Sequence, residues 1–171
     1  MNRLLISFLL LVLIISCADQ RKNKISNPLV LRDGLYYSDS TSTIPFTGRN
    51  RSKMMNQEIE FDVVDGVRDG IFIIYYPNKK IQMIGNLSKN KNVGEWKYYF
   101  PDGSLESTGF FENDIPTGKW IWYNKKGYVV EDGNLINGQR DGEWKTYDST
   151  GRLDILRTYK ADKLLDSVKI N

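Results

Sequence analysis

The stretch Gly94-Glu95-Trp96-Lys97-Tyr98-Tyr99-Phe100-Pro101-Asp102-Gly103 decides the fold, because it contains a strand and the turn that ends it. Six residues after the glycine are aromatic-rich and suit an extended chain. Pro101 then presets its own φ, Asp102 can bond the backbone ahead of it, and Gly103 supplies a positive φ. A second strand follows with period two, through Leu105, Ser107, Gly109 and Phe111. Strand, turn and strand make a β-hairpin.

The same unit recurs every 24 residues. Gly70, Gly94, Gly118 and Gly142 each precede an aromatic by two positions (Phe72, Trp96, Trp120, Trp144) and a tyrosine by five (Tyr75, Tyr99, Tyr123, Tyr147). These eight rings are the expected repeat core. The second strand recurs as Val129, Glu131, Gly133, Leu135 and as Leu153, Ile155, Arg157, Tyr159. Turns fall at Lys125-Lys126-Gly127 and Ser149-Thr150-Gly151; the first, Pro77-Asn78-Lys79, lacks glycine, leans on Asn78 and is expected to be the least regular. Gly66, Asn90, Asp114 and Gly138 stand four residues before each opening glycine, and these residue types enter the left-handed region at least cost. Two turns and two strands per unit leave no room for a helix. The expected fold is all-β, an elongated antiparallel meander of hairpins that advances by about 10 Å per repeat.

Gly85, Gly109 and Gly133 interrupt the second strands, which makes sense where a large ring crosses the backbone, and the first-strand Trp is the natural ring. One conflict stands: residues two and five places past the opening glycine point to opposite faces of a flat strand. Either a bulge intervenes or both faces are partly covered.

GEWKYYFPDG, INGQRDGEW and VLRDGLYYSDSTSTIPFTG resemble the MORN-type repeat, in the variant of the bacterial YwqK-like antitoxin family, over roughly residues 31–165. The segment Pro45-Phe46-Thr47-Gly48 is similar to the one that opens the array in that family. The resemblance implies a non-enzymatic protein that neutralises a partner protein by occlusion. Residues 31–69 read as a degenerate N-terminal cap, 70–93, 94–117, 118–141 and 142–165 as the repeats, and 164–171 as a closing strand.

Ahead of the array, Arg3 and the apolar run Leu4 to Ile15 have the form of a secretion signal. As a helix the run spans about 18 Å, short of the ~30 Å hydrocarbon core. It ends in Ile14-Ile15-Ser16-Cys17, which resembles a bacterial lipobox. The expectation is a signal peptide at 1–16, an acylated Cys17 and a flexible tether at 17–30. The protein would then be a lipoprotein of the cell envelope, tethered to membrane lipid, at the outer membrane in a Gram-negative cell. Arg21, Lys22 and Lys24 could add a weak attraction to anionic lipid.

Histidine is absent and Cys17 is the one cysteine, which removes serine- and cysteine-triad machinery, His-bound zinc and internal disulfides. Asp102, Glu106, Glu112, Asp114, Glu131, Asp132 and Asp141 fall at turns or on strands with basic neighbours, where solvated charge explains them. No cofactor is expected, nor an enzyme. Twenty-four Lys and Arg against 21 Asp and Glu, interleaved, do not make a nucleic-acid binder. The expected function is a protein-binding or scaffolding surface, antitoxin- or immunity-like, with a protein partner. The alternatives are a glycan or peptidoglycan binder, with Trp96, Trp120 and Trp144 stacked on successive sugars, and a structural envelope protein. Tyr98 and Trp122 occupy a position that holds Ile74 and Thr146 in other copies, so they are the candidate partner contacts.

Overall fold

The computed structural model describes residues 28–54 and 57–170; the apolar run, Cys17 and most of the tether lie outside the described residues. The chain is all-β. A small hairpin, β1 (Val30–Arg32) and β2 (Leu35–Tyr37), precedes one antiparallel sheet. That sheet runs β3 (Gly48–Met54), β4 (Gln57–Val64), β5 (Val67–Tyr75), β6 (Ile81–Ser88), β7 (Lys91–Tyr99), β8 (Leu105–Glu112), β9 (Ile115–Tyr123), β10 (Val129–Ile136), β11 (Gln139–Tyr147), β12 (Leu153–Lys160) and β13 (Lys163–Lys169). Each strand pairs only with its sequence neighbours, so the eleven form an uninterrupted meander.

Two turn types alternate. Between units, two consecutive residues have positive φ, as in Asp65-Gly66 (49°, 80°), Lys89-Asn90 (48°, 68°), Asn113-Asp114 (51°, 71°), Asn137-Gly138 (52°, 79°) and Ala161-Asp162 (48°, 64°). This is the type I′ pattern, whose twist matches that of the flanking strands. Ala161 is the one residue in these pairs that is neither Gly, Asn, Asp nor Lys. Ala161→Asn, which installs the residue found at 113 and 137, should therefore raise stability by up to about 1 kcal/mol in chemical denaturation.

Within units the loop has three residues. Gly103 N donates to Phe100 O at 2.8 Å and Phe100 N to Ser104 O at 2.9 Å. The turn at Pro77-Asn78-Lys79 closes with the same two bonds, Lys79 N to Tyr76 O at 2.9 Å and Tyr76 N to Lys80 O at 2.8 Å, so it is as regular as the others. Lys79, not Asn78, takes the left-handed conformation (φ 68°). Asn78 supports it differently: its Oδ1 accepts from Lys80 N at 3.1 Å, and its Nδ2 donates to Pro101 O in the next unit at 2.7 Å.

Each unit carries two irregularities. The register slips at the opening glycine, between Ile84 and Asn86 opposite Gly94, and likewise between Thr108 and Phe110 and between Asp132 and Asn134. Gly94, Gly118 and Gly142 have positive φ there. On the second strands, Tyr75, Tyr99, Tyr123 and Tyr147 pair with Ile81, Leu105, Val129 and Leu153, leaving one residue out of register beside each. Such bulges increase local twist.

The ends differ from the middle. At the start, Tyr36 N donates to Gly66 O and Phe46 N to Tyr36 O, both at 2.8 Å, which docks the small hairpin against the first I′ turn. Leu29, Tyr36 and Phe46 pack there on a cluster of Ile59, Phe61 and Val63. At the other end β13 pairs with β12 and is exposed along its whole length.

Candidate protein interface

Alternation along the strands gives the sheet two chemically distinct faces. Phe72, Trp96, Trp120 and Trp144 share one of them with Tyr98 and Trp122, while the tyrosines at 75, 99, 123 and 147 lie an odd number of residues further on and take the other. This resolves the conflict in the sequence. The register shift at Tyr98/Tyr99 leaves its extra residue, Glu106, on β8, so β7 keeps its alternation from Trp96 to Tyr99 and both faces are partly covered.

On the tryptophan face, one row crosses the sheet: Phe61, Phe72, Gly85, Trp96, Gly109, Trp120, Gly133, Trp144, Arg157, Ser167. A Cβ built on Gly85 would lie 2.2 Å from Trp96 Cδ2; on Gly109, 2.1 Å from Trp120 Cδ2; on Gly133, 2.2 Å from Trp144 Cδ2. The ring over each glycine thus comes from the following repeat and not from its own hairpin. Trp96, Trp120 and Trp144 are 2 %, 8 % and 5 % exposed, although among the described residues no second layer covers the sheet there. Neighbouring rings do the covering. Phe111 stands edge-on to Trp96 at 5.8 Å and to Trp120 at 5.4 Å.

A second row on this face contains Met83, Tyr98, Ser107, Trp122, Glu131 and Thr146. Trp122 lies 5.7 Å from both Trp120 and Trp144, and Tyr98 stacks on Trp120 at 6.3 Å. The two rings singled out as candidate contacts are half-buried parts of the aromatic stack. Burial also pushes the Tyr98 hydroxyl above its ordinary range.

The tyrosine face carries buried charge. Asp132, which the sequence suggests is solvated, is 6 % exposed. It is held by Lys119 and accepts from Tyr147 Oη at 2.7 Å. Burial alone would raise the Asp132 carboxyl, but the hydrogen bonds from Lys119 and Tyr147 outweigh it and hold the group below the usual range. Burial and the Asp132 bond push Tyr147 up to about 12. Near the other end Glu58, buried to the same degree, is clasped by Lys79 and Arg51, and the Lys79 bond keeps it low despite desolvation. The signal for both clusters is non-local. Lys119 and Tyr147 stand 13 and 15 residues from Asp132, and only the strand register brings them together.

For both carboxyls the folded pKa is depressed. Their contribution to stability is full above the ordinary carboxylate pKa of about 4 and is lost as pH falls through the lower folded value. Thermal unfolding followed from pH 7 to pH 2 should show a fall in Tm that begins near pH 4. Asp132→Asn should flatten part of it.

Among the described residues there is no group of three potential metal ligands. Turns of successive units are tied by a ladder instead. Asn90 N donates to Arg68 O at 2.8 Å and its Oδ1 accepts from Arg68 N at 3.2 Å; Asp114 and Asp162 do the same with Asn92 and Arg140. Gly138 donates to Pro116 O, and there the proline has no N–H to offer and the glycine no acceptor.

Three segments, residues 68–89, 92–113 and 140–161, match the sequence model of the MORN repeat variant. Each spans one hairpin, β5–β6, β7–β8 and β11–β12 in turn, and the hairpin β9–β10, which contains Trp120 and Trp122, folds alike without matching. No curated protein matches the chain. Among solved structures, a chain described as "Crystal structure of GtfA/B complex" aligns with 58 % of this chain at 17 % identity and a TM-score of 0.36. This chain covers 20 % of that one, about a fifth of its length. The matched hairpins support a MORN-type repeat protein.

Proposed function

We propose that the protein is a membrane-tethered, non-enzymatic scaffold whose repeat sheet holds a protein partner. MORN repeats suggest a protein-binding repeat protein, and the observation that carries the reading is the sheet's construction. It is a single layer, long and two-faced, built of units that pair only with their neighbours. Burial of the three repeated Trp rings at 2–8 % speaks for a stabilising role and against stacking on sugars.

The tether is proposed from Leu4 to Cys17, which lie outside the described residues. Acylation there would place the sheet beside a membrane, where an antitoxin-like action means intercepting a delivered or secreted toxin. Metabolic labelling with an alkynyl fatty acid should mark the wild type and miss Cys17→Ser. A label that survives the substitution removes the anchor. In-cell crosslinking from the sheet, followed by solubilisation in detergent, should recover a defined protein; recovery of polysaccharide instead would replace the protein-binding reading.

A further inference from the structure

The turns between units share one construction, and one of them lacks half of it. At Lys89-Asn90, Asn113-Asp114 and Ala161-Asp162 the second turn residue makes two bonds to the residue 22 places back: its N–H donates to the carbonyl of Arg68, Asn92 or Arg140, and its side-chain oxygen accepts from the same residue's N–H. At Asn137-Gly138 one of the two remains, Gly138 N to Pro116 O at 2.8 Å, because the glycine has no side chain and the proline no N–H.

The first turn residues differ as well. Lys89 N donates to Asp69 Oδ2 at 3.2 Å and Ala161 N to Asp141 Oδ2 at 3.4 Å, each to a carboxylate 20 residues back, whereas Thr117 stands at that place for Asn137 and Val93 for Asn113. Asn137 and Gly138 are both exposed, and among the described residues the Asn137 side chain makes no hydrogen bond. This thinnest rung of the ladder carries the one Asn-Gly pair in the chain. Glycine has no Cβ to keep its nitrogen away from the side-chain carbonyl of the residue before it.

We infer that Asn137 is a site of spontaneous covalent modification, its amide converted to aspartate and isoaspartate through a cyclic imide. The Gly138 nitrogen gives its proton to solvent base and attacks Cγ of Asn137; the N–Cγ bond forms, the Cγ–Nδ2 bond breaks, and the amide nitrogen leaves as ammonia. Water then opens the ring at either carbonyl. Opening at the side-chain carbonyl leaves aspartate, and opening at the main-chain carbonyl leaves isoaspartate, in which the backbone runs through Cβ and Cγ. In the I′ turn both residues are held in the left-handed region (φ 52° and 79°), where the nitrogen does not face Cγ, so attack waits on local opening of the turn. A rung of one bond opens more readily than a rung of two.

The two products differ in what they do to the sheet. Aspartate leaves the pair already found at Asp65-Gly66, which folds as the same turn with φ 49° and 80°. Isoaspartate adds a carbon to the main chain of a two-residue loop, so the Ile136–Gln139 pair that closes the loop no longer fits, and the β10–β11 register that brings Trp144 beside Gly133 is strained. The inference concerns the chemistry of the scaffold itself and does not rest on what the scaffold binds.

Asn113 is the internal control, an exposed asparagine at the same place in a sibling turn, followed by Asp114 and braced by two bonds. The full chain in detergent and a synthetic peptide of residues 132–142 are held at mildly alkaline pH and sampled over weeks. Proteolytic mapping by mass spectrometry, with electron-transfer fragmentation, tells aspartate from isoaspartate. Asn137 should convert at least about tenfold faster than Asn113, with isoaspartate the larger product, and about tenfold more slowly than the peptide, whose turn is open. Gly138→Asp, which installs the residue that follows Asn113, should bring Asn137 down to the Asn113 rate, with unchanged circular dichroism to verify its fold. Ion exchange of partly converted protein should yield an aspartate form that melts with the wild type and an isoaspartate form that melts below it. An Asn137 that converts no faster than Asn113, one that stays intact long after the peptide has converted, or a product without isoaspartate each overturns the inference. Conversion at the rate of the peptide overturns the gating by the turn, and an isoaspartate form with the wild-type Tm overturns the effect on β10 and β11.

Discussion

Gly109→Ala should unfold more readily than any single alanine substitution at the exposed turn glycines, although it adds only one methyl group. The added Cβ would sit 2.1 Å from Trp120 Cδ2, closer than any real contact, and the obstacle is the fused centre of a ring and not a flexible side-chain end. Trp120 can yield only by pushing on Phe111, Tyr98 and Trp122, all of them within 6.3 Å. Overpacking of this kind costs about 1–3 kcal/mol. Gly127 sets the baseline: a Cβ there meets nothing within 4 Å, so Gly127→Ala measures only the positive φ of 83°. Urea denaturation of the two variants against the wild type checks the difference, and equal losses would mean that the ring does not hold Gly109.

Trp120→Ala should be the most damaging truncation on the sheet, at about 3–5 kcal/mol. The ring is 8 % exposed, and it is the hub of three aromatic contacts that come from β7, β8 and β9. Its loss removes the cover from Gly109 and one side of the cover from Trp122. Because a repeat array is stabilised by nearest-neighbour contacts, unfolding should also broaden, with units on either side of β9 melting apart. The double variant Gly109→Ala, Trp120→Ala tests the pairing directly. Once the ring is gone the added methyl has no clash, so the two losses should fall short of adding by 0.5–3 kcal/mol, the range for residues in contact. Strict additivity would place the ring elsewhere.

Much of this architecture is legible in the sequence because local chemistry writes it. The turn residues name the hairpins, the period counts them, and the absence of any helix-length segment leaves a meander. Gly109 and Gly133 can even be assigned to a crossing ring. What the sequence does not show is which ring: Trp96 is the direct register partner of Gly109, yet Trp120 lies over it, reaching it across the register slip between Thr108 and Phe110 that leaves Gly109 without a direct partner on β9. The same holds for Tyr98 and Trp122. Variation at their position from Ile to Thr suggests weak constraint, yet each meets a core Trp diagonally across the sheet, Tyr98 meeting Trp120 and Trp122 meeting Trp144. Asp132 appears solvated when its chain neighbours alone are considered. Its burial depends on Lys119 and Tyr147 arriving from strands on either side.

The row of rings and glycines also sets how this chain can change in length over generations. In the interior the pairs are interchangeable: loss of the unit 94–117 would bring Trp120 over Gly85, and loss of 118–141 would bring Trp144 over Gly109, each a contact the sheet already makes. The terminal pairs are not. Phe61 opposite Phe72 and Arg157 opposite Ser167 break the alternation, so a loss that set Trp96 over Phe61 would drive a ring into a ring. A gain or loss of one hairpin is thereby accommodated in the middle of the array with contacts the sheet already makes, whereas at Phe61 it is not.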